Sequence, residues 1–120
     1  MLEISLKKYG NAVYSEIMHT VSETAIFQKY ASAVWTEIER TEFINWIAAN
    51  PQSGDVVPGS NGCRKVRWQR SGMGKRGGAR VIYFNEVQGR IWLLIVYAKA
   101  KFDNLPPDFL AQLKHEVEHG

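Results

Sequence analysis

The side chains that could carry chemistry are concentrated in one basic segment, between Arg64 and Lys101. This segment contains ten basic residues and one acid, Glu86, for a net charge of +9, whereas the remaining residues hold five bases and eleven acids, for −6. A positive field concentrated in one stretch favours a polyanionic partner, and nucleic acid is the first candidate. A solvated basic face without a partner is the alternative. The ten bases are Arg64, Lys65, Arg67, Arg70, Lys75, Arg76, Arg80, Arg90, Lys99 and Lys101.

Three shorter patterns indicate other chemistries, and each lacks a required part. His115–His119 matches the H-E-x-x-H zinc motif, but a catalytic zinc also needs a third protein ligand. Gly72–Lys75 is similar to a phosphate-binding loop, but Arg76 stands where Ser or Thr is needed and a strand, not a helix, is predicted to follow. Cys63 has no histidine nearby and is expected to pack in the core. We therefore predict no metal and no cofactor.

The composition limits the class of protein. A length of 120 residues predicts one domain. The longest apolar run, Ile91–Ala98, has eight residues, whereas a membrane-spanning helix needs about 20, and no signal peptide is recognisable. The single cysteine permits no intrachain disulfide, and together these features favour the cytoplasm. We expect residues 1–17 to be an extension or tag and residues 18–120 to form the domain.

The elements that must position the basic residues begin with one strand and two helices. A short strand is predicted at His19–Glu23, and apolar residues at helical spacing follow over Ile26–Val34. Thr36 and Glu39 fit a capping box at the start of a second helix, which should end at Asn50 because a proline follows.

Beyond this point the apolar period changes to two, which predicts strands. A polar loop is expected first, then a strand with Lys65 and Arg67 on one face, then two strands joined as a hairpin at Gln88-Gly89. A proline pair, Pro106-Pro107, is suited to begin a final helix. The loop is predicted at Pro51–Gly62, and the three strands at Cys63–Arg70, Ala79–Val87 and Ile91–Lys99.

The last strand is apolar on both faces, so it should lie inside the sheet. This order of elements predicts an α+β fold, a small antiparallel sheet with two N-terminal helices and a C-terminal helix. Strict alternation on the last strand would place Trp92, Leu94, Val96 and Ala98 on one face and Leu93, Ile95, Tyr97 and Lys99 on the other.

Several runs from Gly59 onward form a recognisable pattern, namely Gly59-x-x-Gly62, Cys63–Arg67, Gly74–Tyr83, Leu94–Lys99 and Asp103–Leu105. Together these runs resemble the RelE/ParE superfamily of toxins, and within it the HigB type. The resemblance covers about residue 18 to the C-terminus. It implies a RelE-like microbial ribonuclease fold, cleavage of messenger RNA on the ribosome, and a helix-turn-helix antitoxin of the HigA type as partner.

The resemblance also implies roles for individual residues. Arg80 matches an arginine that contacts the scissile phosphate, and Lys99 falls where relatives carry a basic catalytic residue. Some relatives have a catalytic tyrosine near the C-terminus, and this sequence has none there, so Tyr97 or Tyr83 substitutes or no tyrosine acts. The predicted catalytic set is Arg80, Lys99, Arg67 and Tyr97, and the predicted RNA-binding set is Arg64, Lys65, Lys75, Arg76 and Lys101.

RNA cleavage without a metal requires a base for the 2′-hydroxyl, stabilisation of the phosphorane and an acid for the leaving oxygen. The basic segment has no histidine. Arginine stays protonated, so Arg67 and Arg80 can stabilise charge but cannot act as the base. Lys99 could act as base or acid.

Other interpretations stay open at this stage. Lys99 and Lys101 could only solubilise a strand end. Tyr97 could be a buried aromatic, and Arg80 could pair with Glu86 or a helix carboxylate. The protein could also be a ParE-like toxin that inhibits gyrase without catalysis, or an RNA-binding module without activity, because a fold alone does not fix function.

Overall fold

The computed structural model describes residues 19–68, 78–99, 101 and 104–120. The predicted extension at 1–17, the glycine-rich pattern at Gly72–Lys75 and the basic residue Arg76 lie outside the described residues. In chain order the elements are β1 (Thr20–Glu23), α1 (Ala25–Val34), α2 (Glu37–Ala49), β2 (Asp55–Val56), β3 (Arg64–Trp68), β4 (Ala79–Asn85), β5 (Arg90–Ala98) and α3 (Pro107–His119).

These elements form an α+β domain around a five-stranded sheet of order β1-β5-β4-β3-β2. The predicted fold class is confirmed, and each of the three predicted helices is present among the described residues. Two details differ from the predicted sheet: β1 pairs in parallel with β5, and the expected polar loop contributes β2, which pairs with β3. The β3–β4 and β4–β5 pairs are antiparallel as predicted. No helix in the described part of the chain combines the length and apolar character that crossing a membrane requires.

The boundaries of the elements follow local signals in the sequence. The Thr36 side chain accepts from the Glu39 amide and the Glu39 carboxylate accepts from the Thr36 amide, which confirms the capping box that begins α2. Pro106 precedes α3 as predicted. The β4–β5 hairpin turns at Gly89, whose φ of 98° lies in the left-handed region that glycine adopts without strain. The predicted turn at Gln88-Gly89 is therefore confirmed.

Both faces of the sheet are covered by helices. One core lies under α1 and α2 and includes Phe27, Phe43 and Val96. The other lies under α3 and includes Leu110 and Phe84. Strand β5 has β1 and β4 as neighbours, so its predicted place inside the sheet is confirmed.

A β-bulge in β5 overturns the predicted alternation of its faces. Ile82 pairs with Ile95 but Tyr83 pairs with Leu93, which leaves Leu94 as an extra residue. As a result Leu93 and Val96 share the α1 and α2 core, whereas Leu94 and Ile95 both join the core under α3. Thr24 supports this irregularity, since its hydroxyl donates to the Leu94 carbonyl (2.9 Å) and also caps α1.

Cys63 is a packing residue, as predicted. It is fully buried in the core under α3, and its thiol donates to the Leu110 carbonyl at 3.6 Å. Burial raises the pKa of this thiol, so the reactive thiolate is disfavoured.

Candidate nucleic-acid interface

Three neighbouring strands bring two arginines and a tyrosine into one row. Arg67 on β3 lies opposite Arg80 on β4, and Arg80 lies opposite Tyr97 on β5. Paired residues point to the same face of a sheet, so the three side chains are neighbours on the face that α3 covers further along. Lys65 is two residues before Arg67 and shares this face by the alternation of β3. Residues up to 30 positions apart are thus assembled by strand register.

The Arg80 guanidinium is withdrawn from water and not neutralised by any described residue. Arg80 is 7 % exposed, and among the described residues its guanidinium donates one hydrogen bond, to the Ala79 carbonyl at 3.5 Å. Burial lowers the pKa of Arg80, the positive charge of Arg67 lowers it further, and Tyr97 opposes the change. The side chain nevertheless stays protonated at neutral pH, because arginine does not lose its proton in proteins. Among the described residues, no carboxylate offsets this charge.

The alternative that Arg80 pairs with Glu86 is wrong. Glu86 lies next to the hairpin, where it accepts from the Trp92 indole at 2.9 Å and lies 3.9 Å from the Arg90 side chain. The one other ion pair among the described residues joins Arg40 to Glu23.

The structure distinguishes the two tyrosines between which the sequence left the choice open. Tyr97 is 3 % exposed, and burial raises the pKa of its phenol while Arg80 lowers it. Tyr83 lies on the other face, where its hydroxyl donates to the Pro51 carbonyl (2.9 Å) and accepts from the Gly54 amide (2.8 Å). Tyr83 thus holds the loop before β2, and only Tyr97 stands beside Arg80.

Lys65 has a partner that the sequence did not indicate. Its ammonium donates to the Asn104 side-chain oxygen at 2.8 Å, which connects β3 to the segment before α3. Sequence reasoning had marked Asp103–Leu105 only as part of a resemblance. The available signal was an amide side chain in the short segment between β5 and the final helix. Arg67 itself is exposed.

The remaining predicted residues are placed differently from one another. Lys99 is exposed directly after β5, and its amide donates to the Gly78 carbonyl (3.1 Å), which places it at the end of the sheet nearest the row. Lys101 is exposed two residues further on. Arg64 pairs with Tyr83 on the other face and donates to the Gly54 carbonyl at 2.6 Å. Lys75 and Arg76 lie outside the described residues.

The H-E-x-x-H residues lie in the last turns of α3, well away from the row in sequence and on a separate element. His115 and His119 are exposed. No group of three or more His, Cys, Asp or Glu suited to a metal ion occurs among the described residues.

Comparison with known proteins supports the fold. No family model matches this sequence. The structure is similar to that of the E. coli toxin RelE, solved as an arginine-to-alanine double mutant in the free state, with a TM-score of 0.51 and 11 % sequence identity. The match covers 72 % of this chain and 88 % of that one. The chain therefore has a RelE-like fold, which confirms the fold that the resemblance implied.

Proposed function

We propose that this protein is the toxin of a type II toxin–antitoxin pair and acts as a metal-independent endoribonuclease on messenger RNA at the ribosome. The observation that carries the proposal is the row of Arg67, Arg80 and Tyr97, in which two guanidinium groups face each other without a described carboxylate. A site of this kind fits the phosphodiester backbone, which arginine binds through paired N–H donors.

The proposed reaction is attack of the ribose 2′-oxygen on the adjacent phosphorus. The bond from phosphorus to the 5′-oxygen breaks, so the products are a 2′,3′-cyclic phosphate and a 5′-hydroxyl. One proton leaves the 2′-hydroxyl and one is gained by the 5′-oxygen. Arg80 and Arg67 stabilise the negative charge that builds on the phosphoryl oxygens, a contribution that is stronger in the transition state than in the ground state.

The proton transfers are assigned to the residues beside this row. Tyr97 stays protonated at neutral pH because burial raises the pKa of its phenol, so it serves as a hydrogen-bond donor and not as the base. Lys99 is the candidate base or acid at the adjoining sheet end. Lys65, Lys75, Arg76 and Lys101 are proposed to contact the flanking phosphates. Arg64, on the other face, is left out of the proposed site.

Partners follow from this chemistry. A site with two arginines and no strong base is a weak catalyst by itself, and positioning of the RNA by the ribosome can supply roughly 7–11 kcal/mol of the barrier. A basic surface also suits an acidic partner, so we propose a helix-turn-helix antitoxin of the HigA type that neutralises the protein in the cytoplasm.

Induced expression with primer extension on cellular transcripts tests the proposal. We expect new 5′ ends within translated messages, growth arrest, and rescue by the antitoxin encoded beside the toxin. In a reconstituted translation system, protein that has been stripped with EDTA and then freed of the chelator should still cleave when the Mg²⁺ needed by the ribosomes is the only divalent metal supplied. Arg64→Ala is the control for substitutions at Arg67, since it removes an arginine from the same strand, β3, but from the other face of the sheet. Intact transcripts combined with inhibited supercoiling by gyrase would contradict the proposal.

A further inference from the structure

The last turns of α3 hold two imidazoles side by side on the solvent face. His115 and His119 are four positions apart, both are exposed, and their ring centroids are 4.3 Å apart with the planes 33° from parallel. The opposite side of the same helix buries Leu110 and Leu113 against the sheet. The pair is therefore presented to solvent by a helix whose orientation is fixed by packing.

We propose that His115 and His119 together bind one Zn²⁺ ion as a non-catalytic, two-ligand site. Imidazoles at i and i+4 lie on one helix face and can share a metal, and zinc is among the ions that imidazole nitrogen prefers. The described residues provide no third ligand of the usual types, so water completes the coordination. The site is separate from the proposed RNA site and does not depend on the proposed function.

The intervening acid does not convert this pair into a hydrolytic centre. Glu116, the residue that would act as base in an H-E-x-x-H enzyme, accepts a hydrogen bond from the Gln112 amide at 3.3 Å. It also lines a groove of about 200 Å³ with Thr24 and Leu94, between α3 and the start of α1. The ion is thus expected to act on the structure of the helix end and not on a substrate.

Binding should tighten the end of α3. Helix ends fray, and a metal held by both histidines requires the helical conformation between them. The rest of the helix is already fastened, because the Lys114 ammonium donates to the Asn61 carbonyl (2.6 Å) and the Leu110 carbonyl accepts from Cys63. Zinc therefore stabilises the final turn of a helix that is already attached to the sheet, and the stability of the folded protein rises with the logarithm of the zinc concentration above the Kd.

Titration of the full chain, prepared without an added histidine tag, with zinc chloride in a calorimeter tests this site. We expect one ion per monomeric chain and a rise in melting temperature at saturating zinc. His115→Ala and His119→Ala should each weaken binding by about 100-fold, the low end of the gain from joining two ligands. His19→Ala removes the third histidine of the sequence and should leave zinc binding unchanged. Magnesium, which prefers oxygen ligands, should not bind there.

Several results would overturn the proposal. These are unchanged zinc affinity in either single variant, loss of binding in His19→Ala, or one ion shared by two chains. Circular dichroism of each variant checks folding, and His115→Gln and His119→Gln repeat the test with polar side chains if alanine disturbs the helix.

Discussion

Arg40 and Arg80 are both largely shielded from water, yet the fold treats their charges in opposite ways. Arg40 on α2 makes two hydrogen bonds to Glu23, at 2.8 and 2.9 Å, and this carboxylate raises the pKa of Arg40. Arg80 on β4 meets no described carboxylate and faces Arg67 instead, and its pKa is lowered by burial and by that second positive charge. Arg40 thus forms an ion pair that stabilises the fold, whereas the packing of the sheet holds Arg80 in place without such a pair among the described residues.

The contrast indicates what Arg80 is for. A buried charge without a partner costs several kcal/mol unless something offsets it, so such a group is retained where function needs it. The fold does neutralise a partly buried arginine elsewhere, because Glu23 pairs with Arg40. The comparison therefore supports an external anion as the partner of Arg80, in line with the proposed contact with an RNA phosphate.

The largest effect is expected for Arg80→Ala. Loss of one preorganised donor to the transition state typically costs about 2.7–4 kcal/mol, or roughly 10²–10³ in rate. The melting temperature should change little, since the lost packing of the side-chain stem is offset by removal of a buried charge that no described carboxylate neutralises. Ribosome-dependent cleavage and thermal unfolding should be measured on the same preparation.

Arg80→Lys is the matched variant for this experiment. Lysine keeps the charge but lacks the planar fork, so it should restore only part of the rate. A stable Arg80→Ala protein that cleaves at the wild-type rate would remove Arg80 from the site. A large loss of stability would instead show that Arg80 is a structural residue like Arg40.

A second prediction extends the comparison to the two tyrosines. Tyr83→Phe should lower the free energy of unfolding by about 1–3 kcal/mol, because the Gly54 amide loses its buried partner and the Pro51 carbonyl keeps only its hydrogen bond from Asn85. Cleavage by the folded protein should be unaffected. Tyr97→Phe should show the converse, with slower cleavage and a smaller loss of stability in chemical unfolding. Equal effects of both substitutions on cleavage would contradict the assignment of the two faces.

Arg40→Ala is the third prediction and the direct counterpart of Arg80→Ala. Its ion pair with Glu23 is partly buried, so the loss of stability should fall between that of exposed and buried pairs, at about 1–2 kcal/mol. Urea unfolding measures this loss, and cleavage by the folded fraction should stay at the wild-type level. Glu23→Gln should reproduce the loss from the other side of the pair. A fall in cleavage without a fall in stability would break the distinction between the two arginines.

Local patterns predicted much of this fold because they act within a few residues. The capping box at Thr36, the turn at Gly89 and the proline before α3 all depend on neighbouring backbone groups, and each lies where the sequence indicated. The bulge at Leu94 could not be predicted in the same way. When both faces of a strand are apolar, a shift of one residue leaves the apolar pattern unchanged. The sequence of β5 therefore does not show which of its residues face which core.

The candidate site was predictable only where it depends on local alternation within one strand. The parity of β3 correctly grouped Lys65 with Arg67, but the position of Arg80 opposite Arg67 is a matter of register between strands that are joined by a long connection. Register likewise decided that Tyr97 and not Tyr83 stands beside Arg80. The parallel pairing of β1 with β5 and the contact of Lys65 with Asn104 are long-range, and no local pattern encodes them.

Arg67→Glu is expected to have a small effect on stability, and it is a sharp test because the expected change is a gain in stability and not a loss. Arg67 and Arg80 pair on the adjacent strands β3 and β4. In such a pair, like charges destabilise the sheet and opposite charges stabilise it by roughly 0.2–1 kcal/mol. A glutamate at position 67 would give Arg80 the partner that Glu23 gives Arg40. The variant should therefore unfold at a higher temperature than the wild type while cleaving RNA more slowly, since a carboxylate would compete with phosphate for Arg80.

Arg67→Gln separates the two causes, because it removes the repulsion without adding an attraction. Its stability should lie between those of the wild type and Arg67→Glu, and its rate should exceed that of Arg67→Glu. The added stability of Arg67→Glu should shrink in high salt, since position 67 is exposed, and should vanish when combined with Arg80→Ala. If Arg67→Glu is no more stable than Arg67→Gln in low salt, the Arg80 charge is already neutralised. The contrast between Arg80 and Arg40, on which the proposed phosphate contact depends, would then fail.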